Sequence, residues 1–274
     1  MKLLRRATLV LLGTTLGACG SEVLLTSQGG PSVTPDSNRP EDVDDPVAVC
    51  EASPLPARPM ASIDLRGEQS YDPDGVPLIN WRWSLISTPQ GSATKLPSGS
   101  ANLNGVIPDA VGTYAAQLTV TNDRGRQSTP CAVSFDVKPT QSLWIELIWE
   151  YENDDLDLHV LRNGSTEAAD NCGPDTCELA WGSDSSDLDD PEVLRGDIEG
   201  LGPELFGLTE PRDDYYDVYV FDRPTSVRRA DNIAIVTVYI DGEEAWSGYK
   251  TIIDEGTTTP FVRIYWEDGV VEAL

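Results

Sequence analysis

The chain of 274 residues has a single histidine, His159, and only 19 basic residues against 46 acidic ones. Past its first residues it has no apolar run near the roughly 18 residues that a membrane-spanning helix needs. It has no window of sustained 3.6-residue periodicity. One histidine and cysteines at unsuitable spacing exclude the common zinc arrangements. No Gly-x-Ser-x-Gly elbow, His-Glu-x-x-His, P-loop or Gly-x-Gly-x-x-Gly opening a helix occurs, and paired carboxylates arise by chance in so acidic a chain, so the expectation is a protein without catalysis. The net charge of −27 repels nucleic acid and anionic lipid headgroups. What is present instead is a series of short β-rich runs punctuated by Gly, Pro, Asn and Asp.

The first residues carry their own pattern. Lys2, Arg5 and Arg6 precede the apolar stretch Ala7 to Leu16, which ends in Leu16-Gly17-Ala18-Cys19. The order of basic, apolar and small segments is that of a secretion signal. The last four residues resemble the lipobox of bacterial lipoproteins. That resemblance implies cleavage after residue 18 and acylation of Cys19, and two or more chains make such an anchor stable. Gly20 stands where an Asp would signal retention at the inner membrane, so the resemblance implies an outer-membrane lipoprotein of the cell envelope. Residues 20 to 47 are rich in Ser, Pro, Gly, Asp and Asn and read as a disordered tether, giving the division 1–18 signal, 19–47 lipidated Cys and linker.

Export implies an oxidising compartment. With Cys19 set aside, Cys50, Cys131, Cys172 and Cys177 allow three pairings. Gly-Pro-Asp-Thr between Cys172 and Cys177 is a turn sequence that makes local closure easy, which leaves Cys50 for Cys131.

The remainder divides near Lys138-Pro139-Thr140-Gln141. In 48–138 the strand signals are Met60 to Leu65, Leu78 to Ile86, Gly112 to Thr121 and Cys131 to Val137. Tyr114, Ala116, Leu118 and Val120 alternate with polar or small neighbours, as on a half-buried strand. The ordered set Ser70-Tyr71-Asp72-Pro73-Asp74-Gly75, Trp81-Arg82-Trp83, Pro108-Asp109, Gly112-Thr113-Tyr114 and Leu118 to Gly125 resembles the polycystic kidney disease (PKD) type of immunoglobulin-like β-sandwich. In 142–274, Leu143, Ile145, Leu147 and Trp149 alternate with Trp144, Glu146, Ile148 and Glu150. Runs follow at Tyr216 to Phe221, Ile233 to Ile240, Ala245 to Tyr249 and Phe261 to Trp266, and Asp241-Gly242 is a hairpin turn. The expected fold is all-β: two antiparallel sandwiches, PKD-like and then jelly-roll-like, the second with an irregular acidic insertion around 163–213.

Asp154-Asp155-Leu156-Asp157-Leu158-His159-Val160 is the segment richest in chemistry. Period-2 geometry puts Asp155, Asp157 and His159 on one face and Leu156, Leu158 and Val160 on the other. The apolar trio faces a core; the polar trio faces water or a ligand. With Asp189-Asp190-Pro191, Gly200 to Glu204 and Tyr216 to Val220 it resembles uncharacterised bacterial surface β-domains, which brings a fold and almost no function. Asp155, Asp157, Asp189, Asp190, Asp197 and Glu204 offer enough oxygens for a calcium ion if the loop folds over the strand. A solvated acidic loop ordered by turn backbone is the alternative.

Two roles remain. The first is a non-catalytic surface lipoprotein with a structural or protein-interaction role. The second is a carbohydrate-binding module, marked by exposed aromatics sharing a groove, for which Trp144, Trp181, Trp246 and Trp266 are the residues to inspect. Partners are then the membrane, through the lipid, and a protein or polysaccharide. Cys19→Ala is expected to abolish incorporation of labelled palmitate and partition into a detergent phase; unchanged labelling would remove the anchor assignment.

Overall fold

The computed structural model describes residues 44–182, 186–196, 200–224, 231–253 and 255–274; Cys19, the signal and most of the tether, together with Asp197, lie outside the described residues. Six strands come first: β1 (Glu51–Ser53), β2 (Ile63–Arg66), β3 (Leu78–Ser87), β4 (Asn102–Val106), β5 (Gly112–Asn122) and β6 (Cys131–Val137). They form two three-stranded antiparallel sheets, β1-β2-β4 and β3-β5-β6. Ile63, Leu65, Leu103 and Val106 of one sheet meet Tyr114, Ala116, Phe135 and Val137 of the other in one core. The alternation along 114–120 thus becomes a buried face. A disulfide joins Cys50 to Cys131.

The Asp72 to Gly75 turn is held as its sequence implies. Asp72 Oδ1 accepts the N–H groups of Asp74 at 2.9 Å and Val76 at 3.3 Å, and Gly75 has φ +71. Asn122 Nδ2 donates to Asp72 Oδ2 at 2.8 Å, tying the turn to the end of β5. That bond, with the two backbone donors, holds the Asp72 carboxyl below its ordinary range. Of the two tryptophans on β3, Trp83 packs on the core and donates to Ala101 O at 3.2 Å, whereas the Trp81 indole N–H is buried without a partner.

Ten strands follow: β7 (Leu143–Trp149), β8 (Leu156–Arg162), β9 (Asn171–Cys172), β10 (Glu192–Arg195), β11 (Glu204–Leu208), β12 (Tyr215–Asp222), β13 (Asn232–Ile240), β14 (Glu243–Ile252), β15 (Thr258–Tyr265) and β16 (Val270–Ala273). They make two five-stranded antiparallel sheets, β10-β11-β7-β13-β14 and β16-β15-β12-β8-β9. Leu143, Ile145, Leu147, Trp149, Val236 and Val238 of the first face Leu156, Leu158, Val160, Val218, Val220 and Ile264 of the second. The Asp241-Gly242 turn joins β13 to β14 with both residues at positive φ, 50 and 79. The region expected to be an irregular insertion supplies β9, β10 and β11. β11 is missed by pattern because all five residues of Glu204–Leu208 are buried, so nothing alternates. Its glutamate is spent locally: Leu158 N–H donates to Glu204 Oε2 at 2.6 Å, supplying a partner where β8 runs beyond short β9.

Strand β7 is buried on both faces. Trp144, Glu146 and Ile148 point away from the second core, and Glu146 and half-buried Ile148 meet the first sandwich. Val111 N–H donates to Glu146 Oε1 at 2.8 Å, and Trp144 Nε1 donates to the same oxygen at 3.1 Å. A Cβ on Gly91, at φ +75, would lie 2.5 Å from Ile148 Cγ2. Arg195 Nη1 reaches Asp109 Oδ2 at 2.5 Å. Burial would raise the Asp109 carboxyl, but donors from Ser92, Thr94, Ala93 and Arg195 outweigh it and hold it below its usual value.

Burial dominates at Glu146, whose pKa rises from 4.5 to about 7 against the opposing pull of its two hydrogen bonds. The folded pKa exceeds the unfolded one, so the protonated form favours folding. That contribution is complete below the unfolded pKa and is lost as pH rises through about 7. Denaturant unfolding is therefore expected to show stability falling by on the order of 2–3 kcal/mol from Glu146 across this window. Glu146→Gln keeps an acceptor for Val111 and Trp144 and should flatten that part of the profile; a variant with the parent's slope would contradict it.

Candidate functional site

The outer face of the β16-β15-β12-β8-β9 sheet carries the residues that alternation excludes from the core. Register aligns them in rows: Asp157 beside Phe221 beside Thr258, His159 beside Tyr219 beside Pro260, and Leu161 beside Asp217 beside Arg263. The face is concave, enclosing about 570 Å³ between Asp157, His159, Tyr219, Phe221, Arg223 and Asp175. The far wall is the turn closed by the Cys172–Cys177 disulfide, which presents Asp175 and Thr176.

Several of the polar side chains are held by defined partners, while Asp155 Oδ1 is buried without one. Arg223, just past β12, donates through Nε to Asp157 Oδ2 and through Nη2 to Asp175 Oδ2 at 2.5 Å; its Nε lies 3.8 Å from Asp155 Oδ2. The backbone of Arg223 also donates to Asp155 O at 3.0 Å, so the residue is fixed at both ends. His159 Nδ1 is 2.9 Å from Asn171 Oδ1 on β9. The imidazole meets Phe221 edge-on with centroids 6.2 Å apart. It also lies against Gly173, where a Cβ would approach its Cε1 to 2.4 Å, so only glycine fits there. Below them, Arg263 forms a bidentate pair with buried Asp217 at 2.6 and 2.7 Å and lies 4.2 Å over the Tyr215 ring.

The carboxylates under Arg223 are electrostatically loaded. Burial, then the neighbouring Asp157 charge, lifts Asp155 to about 6 despite Arg223. Burial likewise raises Asp157, which is only 2% exposed, against the attraction of Arg223. Asp222, on the opposite face of β12, is lifted to about 6 by burial and by Asp154, Glu255 and Asp155.

Of the carboxylates read from the sequence as calcium ligands, Asp155 and Asp157 come together at Arg223. Glu204 accepts from Leu158. Asp189 Oδ2 accepts from Arg212 Nη2 at 3.1 Å, and Asp190 Oδ1 from Gly182 N–H at 3.3 Å. Among the described residues no three His, Cys, Asp or Glu side chains form a group able to hold a metal ion. The tryptophans offer no sugar platform: Trp144 and Trp181 are buried, and Trp246 and Trp266 are half-buried against the core. The groove's aromatics are Tyr219 and Phe221. The alternation of the 216–220 run was visible in the sequence, but not that its outward members would stand beside Asp157 and His159, which depends on strand pairing. Arg223 and Asp175 had no sequence signal.

No family model matches the chain, and no curated protein matches it. Solved structures do match, among them one described as the structural basis for the promiscuous specificity of carbohydrate-binding modules from the β-sandwich superfamily. It is 10% identical, with 80% of this chain and 84% of that chain covered and a TM-score of 0.31. A likeness at that level brings no ligand to this chain.

Removing the guanidinium would strand two carboxylates in a half-dry site. Arg223→Ala is expected to destabilise the protein by about 3 kcal/mol in chemical denaturation, near the range for breaking a buried ion pair. A loss below about 0.5 kcal/mol would mean that the cluster is solvated like a surface pair.

Proposed function

We propose that this protein is a non-catalytic binding protein of the cell envelope, held by a lipid on Cys19, whose second sandwich binds carbohydrate on its outer face. The groove over β8, β12 and β15 carries this reading. A sugar ring has apolar C–H faces and a rim of hydroxyls. Tyr219 and Phe221, two residues apart on one strand face, supply half-buried aromatic surface to the former. Asp157, Asp175, His159 and Asn171 supply polar groups already oriented by Arg223 and by one another, so little rotamer entropy is lost on binding. In this reading the first sandwich, with its PKD-like motifs, spaces the groove from the membrane. The Leu16 to Cys19 motif supports the anchor.

Titration calorimetry of the chain with a panel of oligosaccharides is expected to find a binder. Tyr219→Ala should weaken that binder by about tenfold or more, as truncating an interface aromatic does, while melting within a few degrees of the parent. Absence of binding across the panel, or binding indifferent to Tyr219, would overturn the proposal.

A further inference from the structure

Resting on the carbohydrate reading, we infer that the groove selects uncharged sugars and rejects acidic ones. The argument is the balance of donors and acceptors on its surface. Among the described lining residues Arg223 is the cation, and it gives its Nε–H and one Nη2 N–H to Asp157 and Asp175. Each of those carboxylates accepts from Arg223 through one oxygen, Oδ2, leaving the other for a ligand. His159 in its neutral form carries its proton on Nδ1, toward the Asn171 carbonyl, which leaves Nε2 as an acceptor. A hydroxyl can donate to these oxygens and to Nε2 and also accept from the remaining N–H groups, whereas an ionised carboxylate can only accept.

Charge acts in the same direction. Asp155, Asp157 and Asp175 set three carboxylates against one guanidinium within the same contact set. An acidic sugar would bring a fourth carboxylate into that set, where the charge of the three already present opposes the attraction of Arg223. Asp157 is 2% exposed, so replacing it would disturb a buried site. Asp175 is different: its side chain is 72% exposed, on the disulfide-closed turn, so it can be changed without opening the core.

The test compares matched pairs with the full chain: oligosaccharides of glucose, galactose and mannose beside their uronic-acid counterparts, which exchange a CH₂OH for a carboxylate. Measurement at ~0.5 M salt screens the general field of a chain of charge −27, because the Debye length is then only a few ångströms. The neutral member of the binding pair is expected to bind more tightly by up to about fivefold, the most that a solvent-exposed ion pair gives. Asp175→Asn keeps an acceptor for Arg223 but removes one of the three negative charges, and should narrow that ratio, chiefly through a gain for the uronic sugar. Equal binding of both members, or a ratio untouched by Asp175→Asn, overturns the inference and leaves the carbohydrate reading standing. Failure of every sugar to bind overturns that reading, and the inference with it.

Discussion

The burial of β7 on both faces is the constraint on which the rest of the molecule depends. Leu143, Ile145, Leu147 and Trp149 close the core of the second sandwich, while Glu146 and Ile148 on the other face meet the first. A strand used in this way cannot slip by one residue, because the slip would exchange Glu146 for a leucine or isoleucine in the seam and drive its carboxylate into an apolar core. Register is thereby passed to β11 on one side and β13 on the other. The Glu146 carboxylate is the polar group that β7 brings to the seam, and its cost is offset by two donors, one from each sandwich.

The opposite sheet is organised by the complementary rule. Its inner face completes the core, and among the described residues no element covers its outer face over β8 and β12, where polar and aromatic side chains collect. Arg223 holds that surface together: it neutralises part of a carboxylate group that would otherwise repel itself, and it joins the β8 strand to the disulfide-closed turn. His159, the only histidine, is confined between Asn171, Phe221 and the bare backbone of Gly173. These contacts hold the side chains in place before any ligand arrives.

The sequence by itself determined the all-β class, the larger strands and which face of β8 turns inward, because a period of two is a local property of the chain. It also determined the two disulfides, since a turn-forming tetrapeptide between Cys172 and Cys177 leaves a single partner for Cys50. The Asp72 and Asp241-Gly242 turns were equally legible, their conformations being set by their own residues. Tertiary structure alone decided where the acidic residues went. Glu204 became a strand-edge acceptor, Asp189 and Asp190 became loop anchors, and Asp157 became a partner of an arginine 66 residues away. A carboxylate has no periodic signature, and its partner is chosen by which strands lie side by side. For the same reason the double burial of β7 and the groove formed by His159, Tyr219 and Phe221 were invisible until long-range pairing brought their elements together.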